Sequence, residues 1–195
     1  MMRRREDSRR RKHAQRGFSL LEVMVSIMLV TVGLVSMLGV FGLAMAATQT
    51  TQQDMIAKQL ANEAYESIVT ARNTAQLNWD QIQNVGSINC PISGGGTCGI
   101  FLAGAQPIYN AGADGIYGTA DDAAAGTQTL RQPGPDGSYG TADDRLIPLN
   151  GYQRTIALTN VDTTLRSITI TVQYTATQAA LPRSYVLSSY LSEYQ

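Results

Sequence analysis

Arg16-Gly17-Phe18-Ser19-Leu20-Leu21-Glu22-Val23-Met24-Val25 is the junction on which the fold turns. Ahead of it, Arg3, Arg4, Arg5, Arg9, Arg10, Arg11, Lys12 and Arg16 face only Glu6 and Asp7, and after Glu22 no charged residue occurs until Asp54. Val23 to Ala47 is thus an apolar segment longer than the ~20 residues a helix needs to cross a hydrocarbon core. The positive run before it holds the N-terminus on the cytoplasmic side. These two features define one transmembrane helix, with Gly33, Gly39 and Gly42 allowing close helix approach. Glu22 is the anomaly: a carboxylate at the edge of the hydrocarbon costs about 2 kcal/mol or more unless it is protonated or paired, and such a cost points to a use.

The order of residues across this junction resembles the type III signal of type IV prepilins: a basic leader ending in Gly17, the aromatic Phe18, and Glu22 inside an apolar run. The resemblance implies that prepilin peptidase cuts between Gly17 and Phe18 and methylates the new amino group of Phe18. It also implies that Glu22 attracts the N-terminal amine of a neighbouring subunit, offsetting the desolvation of both charges. Within the group, Gly17 to Phe41 is similar to the type IV pilus modification proteins of the PilV kind, notably in Thr31-Val32-Gly33-Leu34-Val35. Leu21-Glu22-Val23-Met24-Val25 is shared with the I-class minor pseudopilins of type II secretion. Two plainer readings stand beside these: a signal anchor whose Glu22 reaches for water, and a secretory signal cut near Ala44, Ala46 and Ala47.

A chain of 195 residues accommodates an anchor and one modest head. Its formal net charge of zero hides a division: eight basic residues against two acidic before Gly17, and seven against thirteen from Phe18 onward. The mature chain is acidic, which removes the electrostatic footing for nucleic-acid binding. The one histidine, His13, lies in the leader, so a His-based triad or zinc hydrolase is excluded from the mature chain. Gly94-Gly95-Gly96 lies inside a cysteine loop rather than in a phosphate-binding motif, and no enzymatic activity is expected. Cys90 and Cys98 bracket the Pro/Gly-rich Pro91 to Thr97, and in an oxidising compartment a disulfide is expected, contributing about 2–3 kcal/mol by loop closure. Two unrelated thiols is the alternative.

Past Ala47 a helical period continues in Ile56 and Ala57, Leu60 and Ala61, Ala64 and Tyr65, and Ile68 and Val69, predicting one helix from about Phe18 to about Arg72. Ile168, Ile170, Val172 and Tyr174 alternate with polar residues, as a half-buried strand does, and Tyr152 to Asn160 and Ser184 to Leu191 read as further strands. The expected fold is α+β and pilin-like, a long N-terminal helix on a small antiparallel sheet. The segments are a leader at 1–17, an assembly helix at 18–47, its amphipathic continuation at 48–73, and a head at 74–195.

The head carries an internal repeat. Gly112-Ala113-Asp114-Gly115-Ile116-Tyr117-Gly118-Thr119-Ala120-Asp121-Asp122 recurs as Gly134-Pro135-Asp136-Gly137-Ser138-Tyr139-Gly140-Thr141-Ala142-Asp143-Asp144. Each copy sets one Asp before a glycine turn and two after it, with Thr and carbonyl oxygens between, the hard ligands that Ca²⁺ prefers. The pattern resembles the Asp/Gly-rich calcium-binding repeats of bacterial surface proteins, and its spacing is not that of an EF-hand. Asp114, Asp121, Asp122, Asp136, Asp143 and Asp144 are the candidate ligands. A duplicated turn-rich loop with solvated acids is the other reading.

The functional expectation is a minor subunit of a type IV pilus held in the inner membrane by one span, with its head in the periplasm. Its partners are prepilin peptidase and other pilin or pseudopilin subunits. A type II secretion minor pseudopilin and a calcium-dependent, membrane-anchored adhesin are the alternatives.

Overall fold

The computed structural model describes residues 17–87, 98–175 and 182–194. Compactness divides the chain into Met1–Met45 and Ala46–Gln195. Residues 1–16 of the leader and the loop at 88–97 lie outside the described residues.

In the first unit, α1 (Leu20–Asn73) begins with the Glu22 and Val23 amides donating to the Ser19 carbonyl at 3.0 and 3.2 Å. Glu22 sits in the first turn, where the helix dipole favours a carboxylate. The Ser26, Thr31 and Ser36 hydroxyls donate back to the carbonyls of Glu22, Met28 and Val32 at 2.7–2.8 Å, so these polar groups are satisfied within the helix. That is the condition for a helix in lipid, where water is absent. The best 18-residue window has mean hydropathy 2.4, and the helix is long and apolar enough to cross a membrane.

The second unit is built on the remainder of α1. Ala57, Leu60, Ala61, Ala64, Ile68 and Ala71 are buried, at the three- and four-residue spacing that defines one helix face. Four of the six are alanine, so the buried stripe is made largely of small side chains. The main sheet is antiparallel in the order β1 (Gln106–Pro107), β4 (Tyr152–Asp162), β5 (Leu165–Thr175), β6 (Pro182–Ser192). β4 and β5 form a hairpin that turns at Thr163–Thr164, with Ile156 opposite Ile170 and a register shift between Asn160 and Asp162. β6 pairs with β5 along its whole length, from Pro182 opposite Thr175 to Ser192 opposite Leu165. The strands read from sequence all form, each somewhat longer than read.

Ile156, Ile168, Ile170 and Val172 meet the helix alanines, and Phe101, Ile108, Ile116 and Leu149 complete the core. A fully buried Ile side chain contributes about 1.5–3 kcal/mol. Two arginines stand on the inner face among them. Arg154 is 4% exposed, lies over the Tyr117 ring at 4.6 Å and donates to the Leu60 carbonyl at 3.3 Å. Arg166, also 4% exposed, lies over the Trp79 ring at 4.1 Å and donates to Ile82 O, Asn160 Oδ1 and Trp79 O. Burial lowers the pKa of both guanidiniums, and the carbonyl and aromatic partners are what make the buried charges tolerable. At the other end, Tyr174 reaches Asp54 on α1, and Tyr152, stacked on Tyr174 at 5.3 Å, has its phenol pushed up to about 12, chiefly by burial.

A separate two-stranded ribbon pairs β2 (Thr129–Gln132) with β3 (Arg145–Pro148). A short helix, α2 (Asp122–Ala125), precedes it. The first repeat copy runs into α2, and the second spans the connection between β2 and β3.

Candidate functional site

Gly17 and Phe18 precede the helix in non-helical backbone, Phe18 is 81% exposed, and Glu22 is exposed on the first turn. Both sides of the expected cleavage position are thus exposed. Cys90, and with it the expected Cys90–Cys98 bridge, lies outside the described residues. Cys98 lines a cavity of about 510 Å³ together with Leu77, Ile100, Asp114 and Asp121, which places it beside the first repeat.

The two repeats build the same turn. Gly115 and Gly137 amides donate to Gly112 and Gly134 carbonyls at 3.1 and 3.0 Å. The Asp114 and Asp136 carboxylates accept from Ile116 and Ser138 amides, both at 2.8 Å. Gly118 and Gly140 amides donate to Asp122 and Asp144 Oδ2 at 2.6 and 2.7 Å, and the Thr119 and Thr141 hydroxyls donate to Asp121 and Asp143 Oδ1 at 2.6 and 2.7 Å. A Cβ on Gly112 would fall on the Asp121 carboxylate and displace it, and one on Gly134 would meet both the carboxylate and the backbone carbonyl of Asp143. The recurrence of Gly-Thr-Ala-Asp-Asp is therefore the recurrence of a hydrogen-bonded unit, in which acids read from sequence as candidate ligands, or as solvated in the other reading, accept from backbone amides.

Their surroundings differ. Ile116, Thr119 and Asp122 are buried in the head, whereas Ser138 and Thr141, the counterparts of the first two, are exposed at the ribbon end. Asp122 additionally accepts from the Gly112 amide at 3.0 Å, and burial raises its pKa even though two backbone amides oppose the shift. The Thr119 and Thr141 hydroxyls hold Asp121 and Asp143 below the ordinary carboxylate range. Asp114, Asp121 and Asp122 each bring a ligand oxygen within 4.8 Å of the others, the only such trio among the described residues. In the second copy, Asp144 lies 3.5 Å from Arg131 instead.

Sequence reading missed Arg154, whose positive charge faces Asp122 and Glu63. The signal for it was a charged residue two positions before Ile156 on the inward parity of β4, where alternation predicts an apolar one.

Residues 12–38 match the family model described as the prokaryotic N-terminal methylation motif. The match supports a type IV pilin- or pseudopilin-like protein, and it implies processing by prepilin peptidase and assembly with other pilins. It covers the cleavage junction and the start of the apolar helix and none of the head. No curated protein and no solved structure matches the chain. A methylation motif on a long apolar helix fits membrane anchoring, and the helix with its four-stranded antiparallel sheet is an α+β, pilin-like arrangement.

Proposed function

We propose that this chain is a minor structural subunit of a type IV pilus, synthesised as a prepilin and cut between Gly17 and Phe18. The apolar half of α1 anchors it in the inner membrane, N-terminus cytoplasmic and head periplasmic. The observation that carries the reading is the methylation motif at residues 12–38, with Gly17, Phe18 and Glu22 in their places. Thr31-Val32-Gly33-Leu34-Val35 favours the PilV kind over the I-class pseudopilins of type II secretion. In this role α1 stores the subunit in the membrane, Glu22 draws in a neighbour's N-terminal amine, and the head sets filament initiation or surface properties. A periplasmic head also favours the Cys90–Cys98 bridge.

The test is intact mass and N-terminal sequencing after expression with and without a prepilin peptidase. A chain beginning at N-methylated Phe18 is expected only when the peptidase is present and Gly17 intact. An uncut chain, or cleavage near Ala47, returns the protein to the anchored or secreted class. Glu22→Ala is expected to leave cleavage intact and to abolish incorporation into filaments, read as subunit in sheared filament fractions.

A second reading, calcium binding at the first repeat, is favoured by the gathering of Asp114, Asp121 and Asp122. The donor set fits: all are hard oxygens, and ligands on opposite sides of an ion at about 2.4 Å stand about 4.8 Å apart. Calcium at millimolar concentration is expected to raise the thermal midpoint of the wild-type head by several degrees, and Asp121→Asn to cancel the shift. An unchanged midpoint and unchanged proteolysis on chelation would leave the repeat as a hydrogen-bonded turn and remove the calcium-dependent adhesin from consideration.

A further inference from the structure

The two edges of the main sheet are finished differently. On the β4 side, β1 covers Gln153 and Arg154, and beyond it the Asn84 carboxamide donates to Ile156 O and accepts from the Leu158 amide, both at 2.8 Å, standing in for a strand. Among the described residues no strand pairs with the outer side of β6. β6 is eleven residues long, and between Arg183 and Glu193 it carries no charge and no proline. Long, uncharged, open edges of this kind template strand pairing, and proteins ordinarily blunt them.

Which backbone groups β6 offers follows from its register. The Glu193 amide donates to Thr164 O at 2.8 Å and Leu191 stands opposite Arg166, so odd-numbered residues direct their amides and carbonyls at β5. Ser184, Val186, Ser188, Tyr190 and Ser192 direct theirs outward, and Ser192 O already accepts from Arg72 at 2.8 Å.

We propose that this edge docks a second copy of the chain, β6 against β6, antiparallel and centred on Ser188. In that register every outward-directed residue faces another: Ser188 meets Ser188 of the second copy, and Val186 meets its Tyr190. Val186 and Tyr190 are 52% and 68% exposed, and they become two β-branched–aromatic cross-strand pairs. Arg183 faces Glu193 of the second copy at both ends, because the two charges are equidistant from Ser188. A one-residue slip sets outward groups against inward ones, and a two-residue slip separates both ion pairs. The contact is isologous, the symmetry of a closed dimer.

Its polarity decides where it operates. Along the head, Asp54 approaches Arg183 at 3.8 Å, Tyr65 bonds Ser189 at 3.1 Å and Arg72 bonds Ser192, so α1 and β6 run in the same sense. Antiparallel β6 pairing therefore reverses the head part of α1, from Asp54 to Arg72, in the second copy. Subunits side by side in one filament carry their heads in one sense, so the pairing joins copies on opposed filaments. This last step rests on the anchored-subunit reading above.

The test uses the full chain in detergent micelles. A concentration-dependent dimer is expected, and the Ser188→Cys variant is expected to form a disulfide between the two copies, since hydrogen-bonded antiparallel pairs bring Cα atoms to about 5.5 Å. Ser188→Pro deletes an outward amide and leaves the β5 ladder whole, so it is expected to weaken dimerisation at least tenfold at an unchanged thermal midpoint. Arg183→Glu weakens it, and Arg183→Glu with Glu193→Arg restores it. A monomer at all concentrations up to about 0.5 mM, where even millimolar affinity shows, or a dimer indifferent to Ser188→Pro, overturns the proposal. Sheared filaments containing the wild-type chain are expected to bundle and those containing Ser188→Pro to stay dispersed. Ser188→Cys cross-links within single, unbundled filaments overturn the opposed geometry. Cleavage at Gly17 is read separately, so its failure leaves the micelle result standing.

Discussion

Asp122→Ala is expected to cost the head about 3–5 kcal/mol, enough to unfold a marginal domain. The carboxylate accepts from the Gly112 and Gly118 amides and lies 3.4 Å from the Thr119 hydroxyl, in a residue 5% exposed. Removing it leaves two amides without acceptors, each worth about 1–3 kcal/mol, and takes a negative charge from beside the buried Arg154. The matching change in the second copy, Asp144→Ala, is expected to cost less, about 1–2 kcal/mol, because that carboxylate, though its side chain is only 5% exposed, accepts from one backbone amide, that of Gly140, and its cationic partner Arg131 is half exposed. Urea unfolding of the full chain in micelles, followed by the single tryptophan, Trp79, measures both. Equal losses at the two sites would mean that the Gly112 amide and Arg154 add nothing to the role of Asp122.

Asp122 and its neighbour Asp121 set opposing pH dependences. Burial raises Asp122 above 3.8, so the folded state holds that proton more tightly than the unfolded chain. Its contribution is greatest in acid and declines as pH rises from 3.8 through the raised value. Asp121 is lowered by the Thr119 hydroxyl, so its contribution is present above 3.8 and is lost as pH falls through its depressed value. Asp122→Asn is expected to remove the first dependence and leave the second, which stability measured between about pH 3 and pH 7 separates.

Legibility followed periodicity. The apolar run and the four-residue repeat from Ile56 to Val69 specify α1, because a helix buries one stripe whatever it packs against. β5 was legible because Ile168, Ile170, Val172 and Tyr174 all face one side. β2 and β3 were not: Thr129–Gln132 and Arg145–Pro148 are four residues each, too short to show a period, and are joined only by their mutual pairing. Arg154 and Arg166 defeat alternation outright, since a cation on the inward parity is stable only through partners distant in sequence: Leu60 and Tyr117 for one, Trp79 and Ile82 for the other. The repeat was plain in the sequence, but its two environments were marked only by Ile116 in one copy and Ser138 in the other. At the junction the methylation motif was legible, because it is a short linear pattern that needs no tertiary partner to complete it.

Gly118→Ala and Gly140→Ala are expected to differ by about 1–3 kcal/mol although they change the same position of the same turn. Both glycines are left-handed, at φ +92° and +88°, so each alanine carries the same backbone strain, about 1–2 kcal/mol. Around Gly140 a new Cβ meets nothing within 4 Å, whereas at Gly118 it stands 2.5 Å from Ile156 Cδ1 and 3.5 Å from the Phe101 ring. Ile156 is 3% exposed and paired opposite Ile170 in the centre of the sheet, so it makes room only by leaving its packed position toward the cavity of about 110 Å³ that it lines with Gly118. Gly118→Ala is thus expected to lose about 3 kcal/mol in urea unfolding and Gly140→Ala about 1 kcal/mol. Because the strain is common to both, the difference isolates the overpacking of the core against Ile156. If the two losses are equal, the first repeat is not docked on β4, and the inward placement of Ile116 and Asp122 falls with it.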